Sequence, residues 1–470
     1  MSLLGGREYT RLTEGPIARD ILLFAVPLLL TNILEQAYNT VDLLIVSRYA
    51  SKAALAGVGS TTPFSNMLIG LFMGVATGTS VKVAQYFGGE NPEKLRRTVH
   101  SSLALAILGG LILTGLGYYT TPWLLRMTET PESIFIEAQT YLQIFFLGMV
   151  PLLVYNLGAG ILRAVGDSRR PFFYLLVSAV INIVLDLLMV KHWGLGARGA
   201  AYATVAAQVV AAILVIFHLV FAIGPERLYF RDIRLHKEES MEIIWIGLPA
   251  GLQSVVISLS NVLIQAKING FGPDAIGGVA IEWRLDGFVL AAIQAMGLAV
   301  TTFSAQHIGA HLYHRLHKGA RVALGLSLGI TFSLGAFLTI FAEPLIGFFT
   351  TDPGVLWHGK IMLCVLAPFY FIMALSETYG GLVRGAGKAF QPMMVAVLTM
   401  CVFRIFWISV ILPLHHTFLC MIIGYPISWL LALIMNASYY GWGKWVPGGM
   451  TFRGYLATHP SESEQAVNAN

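Results

Sequence analysis

The feature that most constrains this chain is a succession of apolar runs, each about 20 residues or more, recurring from Ile21 to Tyr439. A helix rises about 1.5 Å per residue, so a run of that length spans a hydrocarbon core about 30 Å thick. The runs predict helices at about 21–46, 60–84, 99–121, 134–158, 172–190, 199–223, 242–268, 279–305, 320–342, 359–382, 393–413 and 417–439. Only 12% of the residues are charged, against about a quarter in soluble domains. No large soluble domain fits between the runs. The expectation is an all-α integral membrane protein with twelve transmembrane helices.

The formal net charge of +5 follows topology and does not indicate nucleic-acid binding. The tails and the even-to-odd connections hold twenty Lys and Arg, the opposite connections six. The positive-inside rule places both termini in the cytoplasm and the chain in the cell (inner) membrane. No cleavable signal peptide is visible, because a polar stretch up to Asp20 precedes a first run long enough to span. Trp442 and Trp445 follow the last run and suit an interfacial belt. From about His459 the chain is polar and expected to be disordered. Cys364, Cys401 and Cys420 lie in apolar segments without metal-ligand or disulfide spacing. No phosphate-binding loop of the ATPase type occurs, and no nucleophile–base constellation. The chain therefore reads as neither an enzyme nor an ATP-driven pump, and it needs no cofactor.

Self-similarity at a spacing of about 221 residues organises the runs. Gly160-Ile-Leu-Arg163-Ala-Val-Gly166 with Pro171 matches Gly381-Leu-Val-Arg384-Gly-Ala-Gly387 with Pro392. Ala84-Gln85 with Gly88 matches Ala305-Gln306 with Gly309, and Ala54 to Val58 matches Ala275 to Val279. At a spacing of 222, Pro27 pairs with Pro249 and Asn39 with Asn261. The expected organisation is a tail (1–20), a six-helix lobe (21–223), a basic linker (224–241), a second six-helix lobe (242–440) and a tail (441–470). An even number of helices per lobe makes the repeats parallel, the architecture of transporters that rock two bundles around a central cleft.

Ionisable residues inside a membrane are expensive, about 2.5–3.5 kcal/mol each on insertion scales, and point to function. Glu35, Asn39 and Asp42 fall at i, i+4 and i+7 on one face of the first helix. Asn182 and Asp186 share a face of the fifth. If the two aspartates face each other, one takes a proton or a small cation sits between them. Carboxylates, an Asn carbonyl and a Thr hydroxyl suit a hard cation such as sodium. Pro27 removes a backbone hydrogen bond and reads either as a static kink or as a conformational hinge. Helix seven carries an uncharged polar stripe, Ser254, Ser258, Asn261 and Gln265. Glu282 and Asp286 share a face of helix eight, with Lys267 or Arg404 expected to pair with such acids. They read as ion pairs or as additional acid sites. Gln36, Tyr38, Asn261, Gln265 and Trp283 are candidates for a substrate cavity.

Several of these segments resemble the multidrug and toxic compound extrusion family. They are Gln36 to Asp42, Ala84-Gln85-Tyr-Phe-Gly88, Arg163-Ala-Val-Gly166-Asp, Asn182-Ile-Val-Leu-Asp186 and Pro249 to Gln265. The resemblance runs from about Ile17 to Tyr440 and is nearest to prokaryotic, DinF-like members. It implies a twelve-helix antiporter exporting amphipathic, often cationic, compounds in exchange for sodium ions or protons. It also implies that Asp42 and Asp186 form the cation or proton site, that Asn182 and Thr204 contribute, and that Tyr141 lies close by. Glu35 departs from the family's usual Gln: it is a third acid in the ion path, a carboxyl attracting cationic substrates, or a protonated Glu hydrogen-bonded between helices. The alternative within the superfamily is a flippase for lipid-linked saccharides, which the few cavity arginines, Arg284 and Arg404, keep open. The expected partners are small-molecule substrates and the lipid bilayer, and a monomer suffices.

Overall fold

The computed structural model describes residues 11–127, 130–446 and 449–459, with their side chains except those of 52–67. The chain folds into α1 (Ile17–Tyr49), α2 (Lys52–Gly88), α3 (Pro92–Met127), α4 (Glu132–Leu147 and Met149–Ala164), α5 (Arg169–His192) and α6 (Gly196–Phe221). It continues with α7 (Lys237–Phe271), α8 (Pro273–Gly309), α9 (Tyr313–Ile340), α10 (Pro353–Gly385), α11 (Phe390–Leu414) and α12 (Phe418–Trp442). Among the described residues, eleven helices are long and apolar enough to cross a membrane, and α4 is a twelfth span bent by 48°. The bend lies at Gly148, where Pro151 leaves the Leu147 carbonyl without its helical donor.

Most helices outrun the apolar stretches that announce them. α3 starts at Pro92 rather than near 99, because the Asn91 carboxamide oxygen accepts from the Lys94 N–H (3.0 Å) and Pro92 needs no donor partner. Asp352 caps α10 in the same way through Gly354 and Val355. Hydropathy marks only the portion inside lipid, whereas capping decides where the helix begins.

The sequence repeat returns as backbone geometry. Gly166 and Gly387 both take left-handed conformations, at φ +95° and +81°. Behind them the Asp167 N–H reaches the Leu162 carbonyl (2.9 Å) and the Lys388 N–H that of Val383 (3.2 Å), the same C-terminal cap twice. Glu90 and His311, also 221 positions apart, share a left-handed conformation at φ 51° and 58°.

The chain forms two compact units that divide inside helices. One comprises Leu30–Gly251. The other joins Leu12–Leu29 to the chain from Leu252 onward. The first half of α1 and the first half of α7 each belong to a different unit from the rest of their helix, and the breaks fall just after Pro27 and Pro249.

In the first unit, α2 crosses the start of α7 through two glycine pairs, Gly74/Gly78 and Gly247/Gly251. A Cβ on Gly247 would lie 2.7 Å from the Val75 Cα, and one on Gly74 2.5 Å from the Gly251 Cα. Only glycine admits backbones this close, the small-xxx-small arrangement of membrane helices. A hydrogen bond and ion pairs extend the seam: the Tyr86 hydroxyl donates to Glu242 (2.5 Å), Glu242 also pairs with Lys82 (3.2 Å), Glu238 with Lys94 (3.2 Å), and Asp232 with Arg96. In the second unit, Ile21, Phe24 and Leu28 of α1 pack in one core with Val300, Phe303 and Leu316. The Leu12 N–H donates to the Gln306 side chain (3.0 Å).

Trp442 is 69% exposed, as an interfacial residue should be, but Trp445 is not. It packs at 1% exposure against Tyr440 and Phe452 and donates to the Tyr440 carbonyl (2.9 Å), because the chain after α12 folds back in a short helix, Phe452–Thr458. The polar segment after His459 lies outside the described residues.

Candidate cation site

Within the first unit, one apolar cluster draws together the second half of α1, α4, α5 and α6. It holds Ile45 and Val46, Tyr141 and Ile144, Val190, and Ala197, Ala200 and Ala201, with Val41, Ile183 and Val205 packed on it. These are the sequence neighbours of Asp42, Asn182, Asp186 and Thr204, so the cluster fixes where those polar groups converge.

Asp42 is buried at 9% exposure, Asn182 at 1% and Asp186 at 0%. The two carboxyl groups lie within hydrogen-bonding reach of each other. Both oxygens of Asp186, both polar atoms of the Asn182 amide and Oδ1 of Asp42 find no donor or acceptor among the described residues. Such groups in a dry core cost several kcal/mol unless something is bound between them. Tyr141 is buried, stacks on Phe145 (6.5 Å between centroids), and lies in electrostatic range of both aspartates. Thr204 is half-buried on α6, which packs against α5, but no hydrogen bond links its hydroxyl to the pair.

The face of α1 differs from the expected one. Asn39 is exposed, as is Gln36. Tyr38 is half-buried and lies in electrostatic range of both Glu35 and Asp42. Residues 35, 38 and 42 fit helical periodicity as well as 35, 39 and 42 do, and of Tyr38 and Asn39 the half-buried tyrosine is the less exposed. Glu35 is not isolated either: the Arg163 guanidinium, in the last turn of α4, lies in range of it and of Tyr155. Arg163 lies beyond the fourth apolar run, which ends near 158, yet still within the helix, so hydropathy alone does not announce this partner. Nor does it announce Gln208, one turn beyond Thr204 on α6, whose buried Oε1 lacks a donor beside the α4 bend. The i, i+4 spacing from Thr204 was the available signal.

Unit two holds a separate polar cluster. Glu282 is fully buried and accepts from the Tyr370 hydroxyl (3.2 Å), while one oxygen each of Glu282 and Asp286 lacks a donor. Arg404 is the cation acting on Asp286. It donates to Ser428 (3.0 Å) and lies over the Tyr425 ring (4.4 Å). Lys267 is exposed and takes no part, and Glu377 is paired with Arg384. Trp283 is exposed, Asn261 half-buried, and Gln265 donates to Asn269 (2.8 Å) near the end of its helix.

Two repeated helical units, the first with a pair of carboxyls buried inside it, suit a membrane transporter. The MatE family model matches residues 27–188 and again 249–408, one copy on each repeat, and the chain belongs to that family of transporters. The probable multidrug resistance protein YoeA of Bacillus subtilis is 28% identical over 441 residues, covering 91% of this chain and 94% of its own. An FAD transporter of Shewanella oneidensis is 25% identical, covering 83% and 86%. The solved structure of a MOP superfamily transporter from Pyrococcus furiosus superposes with a TM-score of 0.85 at 22% identity, over 91% of this chain and 96% of that one. It is similar in fold.

Proposed function

We propose that this protein is a secondary antiporter exporting amphipathic, often cationic, small molecules, driven by a cation or proton bound between Asp42 and Asp186. The observation that carries the reading is the buried pair of carboxyls with no donor to either Asp186 oxygen, beside an Asn182 amide equally without partners. Two adjacent carboxylates in a dry core are neutralised by a shared proton or by a small cation. Sodium finds a suitable oxygen set in Asp42, Asp186, the Asn182 carbonyl and the Thr204 hydroxyl, and a proton needs only the two acids. Tyr141 lies in electrostatic range of both acids and Tyr38 in range of Asp42.

Charge asymmetry supports an orientation with both termini cytoplasmic. α1 supplies the coupling element. Asp42 lies in its second half and Pro27 near the break, so neutralising Asp42 changes the helix that also enters the other unit. Pro27 deprives the Leu23 carbonyl of its helical donor and leaves the ladder weakest there. The drug-resistance name of the relative YoeA supports multidrug export, and the FAD transporter supports anionic cargo as the second reading to be tested. A saccharide–lipid flippase is less well supported, since Arg404 is committed to Ser428 and Tyr425.

The test is transport in proteoliposomes with the sodium and proton gradients imposed separately, using a quaternary ammonium dye and FAD as cargoes. One gradient is expected to drive dye export, and Asp42→Asn and Asp186→Asn each to abolish it. Export by both variants at the parental rate would refute the site, and export without either gradient would refute the coupling.

A further inference from the structure

The first unit carries an open trough on its outer surface that the proposed transport cycle does not use. It has a volume of about 580 Å³ and runs between the second segment of α4 and the C-terminal half of α6. Val150, Val154, Ile213, Phe217, Val220 and Phe230 line it, with almost no polar surface. Phe217 and Phe230 are more than 60% exposed, so large apolar rings flank the trough without filling it.

Its charge is confined to one end. There Phe230, in the short turn Phe230–Asp232, lines the trough and is followed directly by the exposed Arg231, which has no ion-pair partner among the described residues. Arg227 is also exposed, and its Nε donates to the carbonyl of the lining residue Val220 (3.2 Å), which fixes the guanidinium at the trough's mouth. It also lies over the ring of the exposed Tyr229 at 5.0 Å. The nearby Asp232 is engaged by Arg96 and so does not neutralise these arginines. An open apolar trough with Arg227 at its mouth, and with Arg231 next in sequence to its lining residue Phe230, suits a molecule with a long hydrocarbon tail and an anionic head.

We propose that this trough is a specific site for an anionic phospholipid, with one acyl chain between α4 and α6 and the phosphate at Arg227 and Arg231. The site holds the linker turn Phe230–Asp232 against the bundle. Arginine suits the role because its planar fork takes two phosphate oxygens at once. Each arginine near an anionic head group carries about a fivefold preference.

The experiment uses the full chain in detergent, exposed to equal amounts of phosphatidylglycerol and phosphatidylcholine, with retained lipid counted by native mass spectrometry. One phosphatidylglycerol is expected to be kept in preference to phosphatidylcholine. Arg227→Gln with Arg231→Gln should reduce that preference about tenfold or more. Ile213→Trp, which fills the trough and leaves both arginines in place, should remove the bound lipid of either kind. Arg126→Gln, at the far end of α3, should change nothing. Equal retention of the two lipids by the parent chain would overturn the proposal. So would unchanged preference in the double arginine variant, or equal loss with Arg126→Gln, which would make the effect one of net charge. The Ile213→Trp arm keeps the proposal open to refutation if the arginine variant does not fold: lipid retained at the parental level would place it elsewhere.

Discussion

The crossing of α2 and α7 makes a quantitative prediction, because the same substitution should have opposite signs at two sites in one unit. Gly247→Ala places a methyl 2.7 Å from the Val75 Cα and 3.0 Å from the Gly74 carbonyl oxygen. Both neighbours are backbone, so no rotamer relieves the contact. Restoring an ordinary separation of at least 3.4 Å moves the helices apart by about 0.7 Å along the seam. Overpacking of this kind costs about 1–3 kcal/mol. Gly115→Ala on α3 adds the same methyl where nothing lies within 4 Å. It gains the helix-propensity difference of about 0.5–1 kcal/mol without that cost. The propensity gain is common to both sites, so the difference between the two variants is about 1–3 kcal/mol. For a unit of roughly 220 residues this is a gap of about 2–12 °C in midpoint. The assay heats the detergent-solubilised protein and measures the monodisperse fraction by gel filtration. Gly115→Ala should match or exceed the parent and Gly247→Ala should fall below it. Equal midpoints would refute the close approach of the two backbones.

Other consequences follow from particular residues. Gly166→Ala and Gly387→Ala force a Cβ into left-handed backbone, so each should lower stability by about 1–2 kcal/mol in the same thermal assay, and by similar amounts. Arg404→Met leaves the Asp286 carboxyl facing no cation. It should destabilise the second unit by on the order of 3 kcal/mol, with Asp286→Asn in the same chain recovering much of the loss. In the linker, the Arg96 guanidinium holds the exposed Asp232 carboxyl below the ordinary value of 3.8. A lowered native value means that this contact contributes at and above pH 3.8 and is lost as the pH falls through the lower value. Amide-exchange protection of residues 229–236 should therefore weaken at low pH and in high salt, and Arg96→Gln should remove both dependences.

Much of the architecture was written in local pattern. Apolar runs mark spans because lipid imposes a length, and the repeat was legible because the same caps recur, down to Gly166 and Gly387. The inner polar residues were legible in part. Asp42, Asn182 and Asp186 stand out because charge and amide are costly in lipid, yet the choice between Tyr38 and Asn39 on the inner face of α1 was beyond periodicity, which allows both. Arg163 looked like a loop cation because hydropathy ends before the helix does. Trp445 looked interfacial because the return of Phe452–Thr458 is tertiary. The division of α1 and α7 between units has no local signature except two prolines, which also suit an ordinary kink.

That division also sets an order of assembly. Leu12–Leu29 leaves the ribosome first, yet its packing partners Val300, Phe303 and Leu316 are made some 270 residues later. The first unit, conversely, acquires its last helical segment only when Gly251 has been synthesised, after the linker. Neither half severed at the linker carries a full complement of its own core. Each would emerge with an unmatched apolar helix segment, one waiting for a docking site and the other for a lodger, so the two repeats, though duplicated in sequence, mature as one interdependent product.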